Sequence, residues 1–296
     1  MAGVRRVAVV TESIACLPKE EAVSLGITVI PVPFEYAGRD YLDGVDITPG
    51  EFNRMLRSDL PPAATSAPSP GSYMEAFRRL SSEGYEVLCI SPTPTVTRMY
   101  EAASQGQRLA HEEGVKRRIE CVDSGTATMA QGFLVLEAAR LAREGTGMDE
   151  ILERVHLLSG SVFLLVTLDT LEYLAKTSRI PRIGVLFGKA LQIKPIILFA
   201  NGAVKPLKNP RTRRRAVELL LDLTEERLRG GSPLHVAVQH ADAREEAEAL
   251  REAVAGRFHP EELRINEFSP VMTSYTGPGL LGLAFYEDPD ASREAP

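Results

Sequence analysis

The chain has 296 residues, 44% hydrophobic and 25% charged, enough for about two domains with substantial cores at roughly 100–200 residues per domain. With 40 Asp and Glu against 34 Lys and Arg, its formal charge is −6, which argues against a nucleic-acid groove, and no apolar run reaches the ~18 residues of a membrane span. Three scattered cysteines (Cys16, Cys89, Cys121) read as buried cytosolic thiols, and 5 scattered histidines imply no metal site.

Met1-Ala2-Gly3-Val4-Arg5-Arg6 leads straight into a short apolar run, so it reads as the approach to a first strand, Arg6 to Thr11, and not as a signal peptide. Ile27 to Tyr36 reads as one strand, with Pro31 and Pro33 marking a sheet edge. Ala37-Gly38 turns the chain back through Arg39 to Leu42. Thr48-Pro49-Gly50-Glu51 is a capping box with Pro at the first helical position, and its short helix reaches about Arg57. A Pro/Ala/Ser-rich loop covers Pro61 to Pro70, where Ser69 caps a helix to about Leu80. Glu86 to Ser91 is a continuous apolar strand, as expected when both faces are covered. Helix Thr97 to Glu113, strand Arg118 to Asp123 and helix Thr128 to Glu144 follow. This alternation predicts a parallel, Rossmann-like α/β sheet with right-handed crossovers.

Gly145-Thr146-Gly147 marks a boundary, giving an N-terminal α/β domain over 1–147, a C-terminal domain over 148–288 and a frayed tail over 289–296. A helix starts near Asp149, and Ser161 to Thr167 is an apolar strand. Helical stretches Leu171 to Lys176 and Ile183 to Leu191 precede a strand from Ile193 to Phe199. Asn201-Gly202 is a positive-φ hairpin turn returning through Val204 to Leu207. A charged helix from Arg211 to Arg229, strand Leu234 to Gln239, helix Arg244 to Ala255 and strands Glu262 to Phe268 and Leu281 to Tyr286 complete the chain. Hairpins mixed with helices predict an α+β domain with a mixed sheet.

Several catalytic motifs fail on inspection. Gly277-Pro278-Gly279-Leu280-Leu281-Gly282 fits G-x-G-x-x-G, but a strand follows where a dinucleotide fold needs a helix and a second strand. Gly184 to Ala190 is one residue short of a P-loop and lacks its Ser/Thr. There is no G-x-S-x-G elbow. His240-Ala241-Asp242 reads as a strand-end histidine capping the next helix. Arg211-Thr212-Arg213-Arg214-Arg215 opens a helix with abundant acids and reads as a solvated face. What remains is three hydroxyl-rich loops at expected strand ends: Thr65-Ser66, then Thr93, Thr95 and Thr97, then Thr273 to Gly279. Neutral donors and helix N-termini there suit an anion, and ordinary capping is the equal alternative.

At these residues the sequence resembles the DegV family of bacterial fatty-acid-binding proteins. The resemblance runs from about Val7 to Tyr286. It is carried by Thr11-Glu12-Ser13, Tyr41 to Ile47, Thr65 to Pro70, Gly132 to Ala139, Asp169 to Leu174, Ile193-Lys194-Pro195-Ile196 and Thr276-Gly277-Pro278-Gly279. It implies two α/β domains, with a long-chain fatty acid in an apolar tunnel of the second and its carboxylate at the domain interface. It also implies no cofactor, and in some members the bound acid is presented to a partner fatty-acid kinase. By correspondence with the family, Thr65 and Thr97 hold the carboxylate, Arg179 matches an arginine of the site, and Tyr275 stands beside Thr276 where the family has a histidine. Arg98 replaces a glycine and adds a cation, which either reaches the carboxylate or points away with a shift of the loop, and Thr177-Ser178 replace two glycines. These departures bear on the kinase partnership more than on ligand binding.

The apolar segments Val162 to Val166, Val185 to Phe187 and Ile196 to Phe199 are the expected tunnel walls. The rival reading is an acyl esterase or thioesterase with Ser13, Ser66 or Thr97 as nucleophile, and no histidine base for it is identifiable in the sequence.

Overall fold

The computed structural model describes residues 6–56, 63–175 and 193–289. Its first sheet is parallel, with strand order β2-β1-β6-β7. Its strands are β1 (Val7–Glu12), β2 (Thr28–Ile30), β6 (Glu86–Ser91) and β7 (Ile119–Asp123). Alternate residues of β1 enter different cores. Ala8 and Val10 pack with Tyr73, Phe77 and Leu80 of α3 (Pro70–Ser82) and Ala103 of α4 (Met99–Glu112). Val7 and Val9 face α5 (Thr128–Glu144). Both faces are therefore covered, which is why the strands read as unbroken apolar runs.

The second sheet has the order β10-β9-β8-β13-β11-β12. It is built from β8 (Phe163–Thr167), β9 (Ile196–Ala200), β10 (Ala203–Lys208), β11 (Leu234–His240), β12 (Glu262–Glu267) and β13 (Leu281–Glu287). Only β11 and β12 pair in parallel, so the sheet is mixed, as expected. One face packs Leu165, Val236, Val238 and Phe285 against Leu220 of α8 (Arg213–Glu225) and Leu250 of α9 (Arg244–Phe258). The other face lies against α5 and α6 (Met148–Ser159).

The two sheets thus share α5. Its buried residues run around the helix, from Met129 through Leu134 to Ala139. Phe133 sets its ring edge-on to Tyr286 of β13 at 5.1 Å, while the same helix packs on β1 and β6. A helix buried around its whole circumference over Thr128 to Leu136 belongs in an interior.

The expected strand from Ile27 to Tyr36 is two strands in two sheets. Pro31 has no N–H to donate, the Val32 N–H goes to Ser13 Oγ (3.1 Å), and the Asp43 N–H goes to Val32 O (3.0 Å). The chain therefore leaves the parallel sheet and enters a small antiparallel one of order β4-β3-β5. That sheet comprises β3 (Pro33–Tyr36), β4 (Arg39–Leu42) and β5 (Ala64–Thr65), the last lying inside the stretch expected to be loop. Several other expectations match the structure. The capping box opens α2 (Pro49–Leu56), with Thr48 N donating to Glu51 Oε2 at 2.8 Å. Asn201 (φ 50°) and Gly202 (φ 71°) make the β9–β10 turn. Arg214 and Arg215 pair with Glu218 on the surface, whereas Arg213, with its Nη atoms buried, pairs with Glu246.

The expected helix over Ile183 to Leu191, which includes the P-loop-like Gly184 to Ala190, lies outside the described residues. Among the described residues no helix is long and apolar enough to cross a membrane.

Candidate functional site

The parallel sheet changes winding direction between its two central strands. From β1 the chain crosses to β2 on one side, and from β6 it crosses to β7 on the other. In open α/β sheets the crevice beyond the carboxyl ends at such a switch point is where ligands bind. Here the loop leaving β6, Pro92 to Arg98, enters that crevice. It is held in place by Thr93 N donating to Thr126 O (2.8 Å) and by Thr95 Oγ1 donating to Gly202 O at the β9–β10 hairpin tip. Gly202 N in turn donates to Gly125 O at 2.8 Å, so the hairpin of the second sheet clasps two loops of the first.

Thr97 is 8% exposed and stands two residues before Met99, which is buried in a cluster with Phe34, Tyr36, Tyr41, Phe52 and Val271. Thr65 is half-buried in β5, opposite Phe34 of that cluster. Tyr275 is half-buried and packs on the same cluster. The elements carrying Thr65, Thr97 and Tyr275, separate in sequence, are thus gathered on one aromatic core.

Arg98 occupies the N-cap position of α4 (φ −101°, ψ 20°), is exposed, and makes no side-chain capping bond. Arg179 lies outside the described residues.

The segment expected to be a hydroxyl-rich loop over Thr273 to Gly279 is helical as far as Thr276, in α10 (Pro270–Thr276). Ser269 caps it by accepting from Met272 N (3.3 Å), with Pro270 at the first helical position. That is the same signature as Ser69-Pro70 before α3, and it was available in the sequence. Three of the hydroxyls are spent on helix carbonyls: Thr273 Oγ1 donates to Ser269 O, Ser274 Oγ to Val271 O, and Thr276 Oγ1 to Met272 O (2.9 Å).

Past α10, Gly277 (φ 77°, ψ 170°) lies so close to the Tyr173 ring that a Cβ would overlap it. A Cβ on Gly279 (φ 83°) would stand 2.7 Å from Asp169 Cβ. Lys194 Nζ donates to Asp169 Oδ1 and to its carbonyl oxygen, both at 2.6 Å. Three of the sequence motifs therefore meet in one knot beside the site, with Tyr173 at the start of α7 (Glu172–Ala175).

Sequence reasoning missed the polar network beneath the crevice. Glu12 ends β1 fully buried, accepting from Ser91 Oγ (2.6 Å), Tyr73 OH (2.8 Å) and Gln131 Nε2 (3.2 Å). Burial pushes its pKa from 4.5 up to about 7, against the opposing pull of these hydrogen bonds. An acid directly after an apolar strand was the available signal. The hydroxyl of Ser13 donates to Asp43 Oδ2 at 2.8 Å.

His240 ends β11 but caps nothing. Its ring is buried and makes no hydrogen bond, and the N-cap of α9 is Ala243, three residues further on. Burial, with Arg244 nearby, lowers its pKa. Among the described residues no hydrogen bond joins a histidine to Ser13, Ser66 or Thr97.

Known proteins match this chain along nearly its whole length. A family profile described as "Uncharacterised protein, DegV family" matches residues 6–288. A DegV domain-containing protein of Streptomyces coelicolor is 32% identical over 281 residues, covering 94% of this chain and 98% of its own. One from Halalkalibacterium halodurans is 28% identical over 282 residues, covering 95% and 98%. Among solved structures, a DegV family protein from Thermus thermophilus, described by its fatty acid binding, superimposes with a TM-score of 0.87 at 27% identity, covering 95% of this chain and 99% of that one. DegV of Bacillus subtilis, described as a fatty acid binding protein, gives a TM-score of 0.86 at 25% identity, covering 96% and 99%.

Proposed function

The chain belongs to the DegV family, and on that premise we propose that it binds a long-chain fatty acid without transforming it. The carboxylate is held by the hydroxyls of Thr65, Thr97 and Tyr275, with Thr276, Arg98 and Arg179 around them, and the acyl chain lies in the second of two domains, 148–288 beside 1–147. The observation that carries this reading is the convergence of the β6–α4 loop, β5 and α10 on one aromatic cluster at the switch point. In this reading the tail runs among the apolar side chains of Val162 to Val166 and Ile196 to Phe199, which lie in the cores on the two faces of the second sheet. Burying about ten methylenes at ~0.8 kcal/mol each yields a gross ~8 kcal/mol, so a few neutral donors suffice for the headgroup. The fatty acid binding described for the relatives from Thermus thermophilus and Bacillus subtilis supports the same class of ligand.

The finer parts of the proposal are a cytoplasmic location, supported by three free cysteines, and presentation of the acid to a fatty-acid kinase. Adding such a kinase and ATP to acyl-loaded protein tests the latter through formation of an acyl phosphate. Mass spectrometry of ligand extracted from protein purified from bacteria tests the binding itself. An acyl chain at near-equal stoichiometry is expected, and its absence, together with no binding of added fatty acid, overturns the proposal. Thr65→Val removes a charge-assisted hydrogen bond of roughly 1.5–3 kcal/mol, so a fluorescent fatty acid should bind about tenfold weaker or worse. Hydrolysis of acyl esters by the pure protein would favour the esterase instead.

A further inference from the structure

Two motifs of the resemblance, Thr11-Glu12-Ser13 and Asp43 to Ile47, take no part in the headgroup site, and they meet in a cleft of about 830 Å3. The cleft is closed on another side by the end of β12 and the start of α10. Its floor offers acceptors. Asp43 is 2% exposed, and its carboxylate takes hydrogen bonds from the side chains of Ser13 and Ser269. Asn266 is 9% exposed, and its buried Oδ1 accepts no hydrogen bond. Glu267 stands exposed at the edge, with Lys19 and Arg244 at the mouth.

The rim is aliphatic. Val23, Val45 and Val29 are 72%, 66% and 38% exposed, and they account for most of the large exposed hydrophobic side chains among the described residues. Exposed apolar side chains around a polar floor mark a binding site. A primary ammonium has three donors and no acceptor on an aliphatic stem, which suits oxygen acceptors set beside an aliphatic rim.

We propose that this cleft binds an alkylammonium group, its –NH3+ donating to Asp43 and to Asn266 Oδ1 while its stem lies against Val23, Val29 and Val45. A free aliphatic amine and a lysine side chain carry the same chemistry. The inference is independent of the fatty-acid reading, whose residues lie elsewhere.

The test is titration of the full chain with hexylammonium chloride, hexan-1-ol and the capped peptide acetyl-Leu-Lys-Leu-amide, followed by calorimetry and by amide chemical shifts. Hexylammonium should saturate one site, shift resonances around Asp43 and Asn266, and bind at least tenfold tighter than hexan-1-ol. Asp43→Asn and Asn266→Leu should each weaken the ammonium and leave hexan-1-ol and fatty-acid binding unchanged. Tighter binding of the peptide than of hexylammonium assigns the lysine source, and the reverse order assigns a free amine. Equal affinity for amine and alcohol, shifts that map to Thr65 instead, or two neutral variants would overturn the assignment. Should Asp43→Asn fail to fold, Asn266→Leu and the amine-to-alcohol ratio of the native chain decide it.

Discussion

Replacing Glu12 by Gln should flatten the dependence of stability on pH. Glu12 is fully buried, and its folded pKa of about 7 lies above the 4.5 of an unfolded glutamate. Between those values the folded chain binds more protons than the unfolded one, so this group's contribution is fully present below pH 4.5 and is lost as pH rises through 7. With these two constants the ionisation cost is about 1 kcal/mol at pH 5 and about 3 kcal/mol at pH 8, a loss of about 2 kcal/mol across the window. Glutamine keeps an oxygen to accept from Tyr73 and Ser91. Its amide then meets the Gln131 side chain, whose own Oε1 is buried without a donor and offers an acceptor if that amide turns. Any cost of that repacking is the same at every pH.

The chain has no tryptophan, so urea unfolding is best followed by circular dichroism at pH 5, 6, 7 and 8. The difference in unfolding free energy, variant minus native, should rise by about 2 kcal/mol from pH 5 to pH 8. A difference constant to within about 0.5 kcal/mol would show that the Glu12 carboxyl is not held near neutrality by burial.

Phe133→Ala should cost roughly 3–5 kcal/mol, since the ring joins the helix shared by both sheets to Tyr286, and a thermal melt within a degree of the native chain would refute that role. Gly277→Ala forces a side chain into a backbone region reserved for glycine and into the Tyr173 ring. It should cost at least ~1–3 kcal/mol, and a native melting temperature would count against the packing described. Arg98→Gln should weaken fatty-acid binding by less than about fivefold at low salt and negligibly at high salt, because an exposed charge contributes roughly 0–1 kcal/mol and is screened. A tenfold loss that persists at high salt would show Arg98 buried against the headgroup.

The pattern of residues was sufficient for the local structure. Glu86 to Ser91 and Thr128 to Glu144 begin and end where periodicity and caps put them, and Asn201-Gly202 turns as its positive-φ preference requires. These features depend on neighbours within a few residues, so they are written in the chain itself. Motif order sufficed to suggest the family, and Thr65 and Thr97 could be named from it. Distance in sequence hid the rest. The division of Ile27 to Tyr36 between two sheets turns on Ser13 and Asp43 claiming the backbone of Val32. That contact spans 19 residues on one side. The helical end of the Thr273 to Gly279 stretch was legible from Ser269-Pro270, but the knot of Tyr173, Asp169 and Lys194 against it was not.

The sequence by itself determined most of the elements, their alternation and the hydroxyl-bearing segments, because capping, periodicity and turn preference act over short spans. Only the tertiary structure decided that one helix buried around most of its length joins two sheets, and that three distant hydroxyl-bearing elements share an aromatic cluster. It alone decided that Glu12 is buried deeply enough to hold its proton near neutrality. The physical reason is that burial and desolvation belong to the assembled volume around a group, which no stretch of residues specifies alone.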